Sequence, residues 1–173
     1  MTTLDPLTKE PITAYHLKKM LIERYNVKGS FENTKRYVMG DEVEGWSEKK
    51  RVRWADFIVQ DTWSSGGFGH PRRPYARYGF EIKISRSDWL NEIKDPDKAQ
   101  AFIPYCHYWS LVIAEKEMVK EGELPEGWGL FVPRNGKLAV VKSPKCNLEV
   151  KPMPTTMLIS FMRRIDEVAR GVR

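Results

Sequence analysis

Three ionisable residues stand in strand-like segments where charge is out of place. Tyr78 to Ser85 (YGFEIKIS) alternates Phe80, Ile82 and Ile84 with Glu81, Lys83 and Ser85, the period of two expected of a strand with one buried face. Glu81 and Lys83 therefore share a face. Upstream, Val52 to Gln60 (VRWADFIVQ) is apolar almost throughout, and Asp56 is its one acid. A bare carboxylate in such a strand is costly to desolvate, so it calls for a cation, a metal ion or several hydrogen-bond donors beside it. Two carboxylates from adjacent strands can share a hard divalent cation through oxygen ligands and leave positions open for water and a phosphate oxygen. A lysine two residues along can then orient the attacking water or offset charge developing on the phosphate. The chemistry so described is metal-assisted hydrolysis of a phosphodiester. The same residues also permit a plainer arrangement, with Glu81 and Lys83 on a solvated strand face and Asp56 in a local ion pair.

The longer pattern adds to this. Ala55-Asp56 in a hydrophobic strand, a connection, and then Gly79-Phe80-Glu81-Ile82-Lys83-Ile84-Ser85-Arg86-Ser87-Asp88-Trp89-Leu90 resembles the PD-(D/E)XK nuclease superfamily. More narrowly it is similar to the MmcB-like branch, associated with DNA repair and with phage-type proteins, in which an E-x-K-x-S-x-x-D run leads into a helix. The similarity is densest from Arg51 to Ala114 and extends more thinly through Leu124 to Leu130. Ala55 stands where the superfamily motif has proline. The resemblance implies an α/β (α+β) fold with a restriction-endonuclease-like core, a mixed central β-sheet flanked by helices. It implies a Mg2+- or Mn2+-dependent DNA nuclease, with Asp56, Glu81 and the Ile82 backbone carbonyl as metal ligands and Lys83 completing the catalytic set with Asp56 and Glu81. The first helix of the superfamily often carries a further acid, which here would be Glu23, with Glu32 as its competitor. Two other readings remain open: a catalytically weak or inactive DNA-binding or repair-accessory domain, and a restriction-like component that acts only with a partner. Gln100 and Tyr105 are five apart, where some branches have such a pair four apart, so no catalytic role is assigned to them.

The elements that must hold these residues follow from local signals. Thr13 is a good N-cap for a helix to Tyr25, with Leu17, Met20, Leu21 and Tyr25 near helical spacing. Phe31 to Met39 reads as the first strand, followed by a polar turn from Gly40 to Lys50. Thr62 to Arg77 is too long for a tight turn, and it mixes Arg72, Arg73 and Arg77 with Trp63, Phe68 and Tyr75. Those cations could meet phosphates and those rings could stack on bases; the alternative is an exposed connection with local packing. Arg86, just past the E-x-K run, joins the expected nucleic-acid contacts.

Ser85-x-x-Asp88 resembles a capping box, which predicts a helix from Arg86 or Ser87 carrying Trp89, Leu90 and Ile93 inward. Asp95-Pro96 predicts a kink or a second helix carrying Lys98, Gln100 and Phe102 towards Tyr105. Tyr108 to Ala114 reads as a buried strand, and Asn135-Gly136 joins Trp128–Pro133 to Lys137–Val141 in a hairpin. A last helix begins at Thr155 or Thr156, with Leu158, Phe161, Met162, Ile165 and Val168 on one face. Arg163, Arg164 and Arg170 lie off that face and read as solvated.

A chain of 173 residues is long enough for one core and short for two, so one domain over 1–173 is expected. Lys plus Arg number 29 against 23 Asp plus Glu, a positive excess that suits a polyanion such as DNA. No apolar run reaches the ~18 residues of a membrane span and the first thirty residues do not read as a signal peptide, so a cytoplasmic protein without membrane contact is expected. Cys106 and Cys146 lack C-x-x-C spacing, and His16, His70 and His107 form no ligand pattern, which argues for reduced thiols and against structural zinc. The oligomeric state is left open, a homodimer included.

Overall fold

The computed structural model describes residues 11–27, 35–47, 49–64 and 73–170. The fold is mixed α/β: a six-stranded sheet in the order β1-β2-β3-β4-β5-β6, flanked by helices. In chain order the elements are α1 (Ala14–Tyr25), β1 (Tyr37–Trp46), β2 (Val52–Asp61), β3 (Arg77–Lys83), α2 (Arg86–Lys94), α3 (Asp97–Gln100), β4 (Tyr108–Ile113), β5 (Gly129–Arg134), β6 (Lys137–Lys142) and α4 (Thr155–Ala169). β1, β2 and β3 form an antiparallel meander, β4 lies parallel to both β3 and β5, and β6 closes the sheet as an antiparallel hairpin partner of β5. The β3–β4 step is parallel because α2 and α3 carry the chain back to the starting edge.

Helix starts follow local chemistry. Thr13 caps α1 through its hydroxyl and the His16 N–H, and the His16 ring returns a bond to the Thr13 N–H. Ser85 caps α2 by accepting the Asp88 N–H at 3.2 Å, an interaction worth about 1 kcal/mol. Asn135 and Gly136 both adopt positive φ, as the tight β5–β6 turn requires.

The sheet carries a core on each side. On one, α1 sets Tyr25 against Tyr37, Tyr78 and Phe80, with ring centroids 5.1, 5.6 and 5.8 Å away. On the other, Trp109 stacks on Phe102 and meets Trp128 edge-on, and Trp89 of α2 lies beyond Trp128. Gly79 lies opposite Trp109 in the parallel ladder; a Cβ there would come within 2.1 Å of the indole. Glu81, two residues on from Gly79, faces the same helical layer as Trp109.

Several boundaries differ from the sequence reading. The first strand runs from Tyr37 to Trp46, so Gly40 to Trp46 is paired strand rather than turn, because it alternates buried and less buried residues against β2. Residues 31–34, expected to begin that strand, lie outside the described residues. In α2 the buried pair is Trp89 and Glu92, whereas Leu90 and Ile93 are half-exposed. In α4 the buried residues are Met157 and Phe161, whereas Leu158 and Met162 face outward. Both helices lie on narrow contacts, so a stripe chosen by hydrophobicity alone overestimates what is covered. The helix after Pro96 is a single turn, followed by a 3-10 turn over Ile103–Tyr105. Cys106 is buried and Cys146 half-buried, both as free thiols. Among the described residues no helix is long and apolar enough to cross a membrane.

Candidate functional site

β2 and β3 part company at Asp56. The β2–β3 ladder runs from Gln60 opposite Arg77 to Phe57 opposite Phe80 and stops there; continued by one step, it would set Asp56 against Glu81. Towards β1 the register also skips Asp56, pairing Asp41 with Phe57 and Val43 with Ala55, while Glu42 takes a φ of 48°. A non-glycine residue in that region is locally strained. At this break the Asp56 side chain takes over from the backbone: Oδ2 accepts the Ile82 N–H at 2.8 Å. Oδ1 remains turned towards a half-buried charge cluster.

Glu81 lies at the centre of that cluster with no solvent exposure. Its Oε1 accepts from both Lys83 Nζ and Lys98 Nζ. The Lys98 ammonium also lies 3.3 Å from Asp56 Oδ1 and 3.9 Å from Glu92 Oε2, and Lys83 is 2.8 Å from Glu92 Oε2. Three carboxylates thus meet two ammonium groups. Glu81 Oε2 and Glu92 Oε1 are buried without a hydrogen-bond partner among the described residues. Burial, followed by the neighbouring Asp56 charge, pushes the Glu81 carboxyl up to about 8 against the opposing pull of Lys83 and Lys98. Burial pulls Lys83 down, yet Glu81, Asp56 and Glu92 together hold it above its ordinary value. The cluster opens into a cleft of about 450 Å3 lined by Asp56, Ile82, Lys83, Asp88, Glu92 and Lys98, among others, with Ala14 of α1 at its margin.

The structure brings Asp56 and Glu81 together, with the Lys98 ammonium between them. Two members of the cluster escaped sequence reasoning. Glu92 stands three residues after the buried Trp89, so an acid on the inward face of α2 was the available signal. Lys98 comes within reach only because the chain breaks at Pro96 and turns through α3.

Other expected contributors fall elsewhere. Glu23 is exposed and lines a separate cavity with Met20, Arg24, Lys137 and Leu138. It is nine residues beyond Ala14, roughly 13 Å along α1, so the structure does not bring it together with Asp56 and Glu81. Arg77 donates to Gln60 Oε1 at 3.0 Å and to the Tyr105 carbonyl at 2.7 Å. Arg86 donates to the Met118 carbonyl at 2.6 Å and grips Glu123. Both guanidinium groups hold protein partners that a phosphate would have to displace. Arg73 is half-buried; Arg72, Phe68 and Glu32 lie outside the described residues. Trp63 is half-buried beneath the Arg36 guanidinium, and Tyr75 is exposed.

Metal chemistry can be weighed on the donors present. Among the described residues no three His, Cys, Asp or Glu side chains are grouped to hold an ion. Mg2+, however, needs only one or two carboxylates when water fills the remaining positions. Asp56 Oδ1 and Glu81, with its unpartnered Oε2, supply such a pair of carboxylates.

No protein-family model matches the chain, and no curated protein matches it in sequence. Among solved structures, it is similar to a protein described as of unknown function from Silicibacter pomeroyi, 17% identical, with a TM-score of 0.48 over 79% of this chain and 77% of that one.

Proposed function

We propose that this chain is a Mg2+- or Mn2+-dependent nuclease that hydrolyses phosphodiester bonds in DNA, with its sheet serving as a restriction-endonuclease-like core. The observation that carries the reading is the convergence of Asp56 and Glu81, from two different strands, on one cation at the fork between β2 and β3. Asp56 and Glu81 would hold the metal, and the Ile82 carbonyl would complete the protein ligands. The bound ion would supply Lewis-acid polarisation of the phosphate and a more acidic water. The Ile82 N–H fixes the Asp56 carboxylate by taking Oδ2, which leaves Oδ1 to face the cleft. Lys83, held between Glu81 and Glu92, keeps a proton and presents positive charge where a phosphate oxygen gains negative charge. Lys98 must leave its place between the two carboxylates, and its ammonium then becomes available to the incoming phosphate.

A second reading has its own support. The Lys98 ammonium already lies between Asp56 and Glu81, so both carboxylates have a cationic partner without metal. That favours a DNA-binding or repair-accessory domain without useful turnover.

The deciding experiment is cleavage of single-stranded, duplex, flapped and branched DNA by the purified chain in Mg2+, Mn2+ or EDTA, beside identically prepared Lys83→Ala. Metal-dependent cleavage that disappears in the variant supports the nuclease. Wild type inert on every substrate while still binding DNA gives the accessory reading instead.

A further inference from the structure

The hairpin that leads into the Asp56 strand carries an unexplained surface. Its sequence from Trp46 to Trp54 interleaves two tryptophans with Lys49, Lys50, Arg51 and Arg53. Of the six tryptophans, Trp89, Trp109 and Trp128 are in the core and Trp63 is half-buried, yet Trp46 and Trp54 are 52% and 48% exposed. Among the described residues neither indole has a hydrogen bond or an aromatic partner. Trp46 pairs with Val52 and Glu44 with Trp54, so the two indoles lie on the same face of the hairpin as diagonal neighbours, about 7–8 Å apart at Cα. That separation leaves room for a flat ring between or across them.

The hairpin is built rather than loose. The Ser47 N–H bonds the Arg51 carbonyl at 2.9 Å, the Lys50 N–H bonds the Ser47 carbonyl at 2.9 Å, and Ser47 Oγ accepts the Arg51 N–H. Lys50 takes the left-handed conformation that tightens this turn. Lys49, Lys50 and Arg51 are all exposed. Glu44 is the acid on the tryptophan face, beside Trp54 and away from the turn; Glu48 lies outside the described residues. Arg53 points to the opposite face, where Nη2 meets Asp95 at 3.2 Å and Asp97 at 3.1 Å. Asp95 lines the cleft, so this pair moors the hairpin to the wall of the cleft. Trp54 is two residues, about 7 Å of strand, from Asp56.

We propose that Trp46 and Trp54, with Lys49, Lys50 and Arg51, form a stacking platform for single-stranded nucleic acid. Exposed indoles among cations match the recognition of unpaired bases on a phosphate backbone, since every base offers a ring face and every phosphate a charge. Duplex bases are already stacked, so the rings gain little from them. An apolar protein partner would not call for three cations at the turn. This binding does not depend on the proposed nuclease reading.

The test is fluorescence anisotropy of the full chain in EDTA with a labelled oligothymidylate of about 12 nucleotides and with a duplex of the same length. Single strand is expected to bind more tightly than duplex. Trp46→Ala and Trp54→Ala should each weaken single-strand binding roughly tenfold, and Trp54→Phe should restore most of it. Replacing Lys49, Lys50 and Arg51 with Ala should lower the salt slope by about 0.7 for each phosphate that is no longer neutralised. Thermal melts monitored by circular dichroism establish that the variants are folded. Unchanged single-strand affinity in the folded tryptophan variants overturns the platform, and so does equal weakening on duplex and single strand. Absence of binding to either nucleic acid at low salt also overturns it and leaves the indoles to a protein partner. Because EDTA removes metal chemistry, an inert cleft with an intact platform is distinguishable from cleavage without one.

Discussion

The Asp56 carboxylate accepts the Ile82 N–H at 2.8 Å, just beyond the last backbone pair between their strands. One side chain thereby satisfies the donor left by the departing strand and aims its second oxygen at the charge cluster. The structural and electrostatic roles of Asp56 are therefore separable. Asp56→Asn keeps an acceptor for Ile82 and should retain near wild-type stability while losing Mn2+ binding. Asp56→Ala should cost roughly 1–3 kcal/mol for the unsatisfied N–H. Urea denaturation and calorimetric Mn2+ titration check both; an Ala variant as stable as wild type would show that the bond contributes nothing.

The two lysines at Glu81 should behave differently. Lys98 occupies the position between Asp56 and Glu81, so Lys98→Met should raise Mn2+ affinity, on the order of tenfold for about 1.4 kcal/mol of removed competition. Lys83 does not bridge the same pair. Lys83→Ala should keep metal binding and lose most cleavage, because its charge is required as the phosphate reacts. Equal metal affinity in Lys98→Met and wild type would refute competition.

Stability should depend on pH through Glu81. Burial raises its carboxyl from the ordinary 4.5 to about 8, so between these values the folded chain binds more protons than the unfolded chain. Its contribution is fully favourable below about 4.5 and is lost as pH rises towards 8. Wild type should therefore lose on the order of a few kcal/mol relative to Glu81→Gln across that window. Paired denaturation curves from about pH 5 to 8.5 measure the difference, and parallel curves would exclude the effect.

Gly79→Ala tests the packing beneath the site without touching its charges. The new methyl would meet Trp109 and then Cys106 Sγ at 3.1 Å, so a loss of roughly 1–3 kcal/mol or more is expected. A melting temperature unchanged from wild type would mean that the indole moves freely, contrary to its stacking on Phe102.

Much of the scaffold is legible in the residues because its causes are local. The alternation of Phe80 and Ile82 marks β3, whereas Ile84 lies past its end and is exposed; Ser85 caps α2, and Asn135-Gly136 makes the last hairpin. Each depends on neighbours a few positions away. Asp56 and Glu81 stand out for the same reason, as acids in apolar runs. What surrounds them was decided by tertiary structure. Glu92 joins the cluster from the inward face of α2 and Lys98 through the break at Pro96, Arg77 and Arg86 are taken up by distant protein partners, and Leu90 and Met162 face outward. Burial and charge pairing depend on which segments meet across the whole fold, and hydrophobic spacing along one helix carries no record of that meeting.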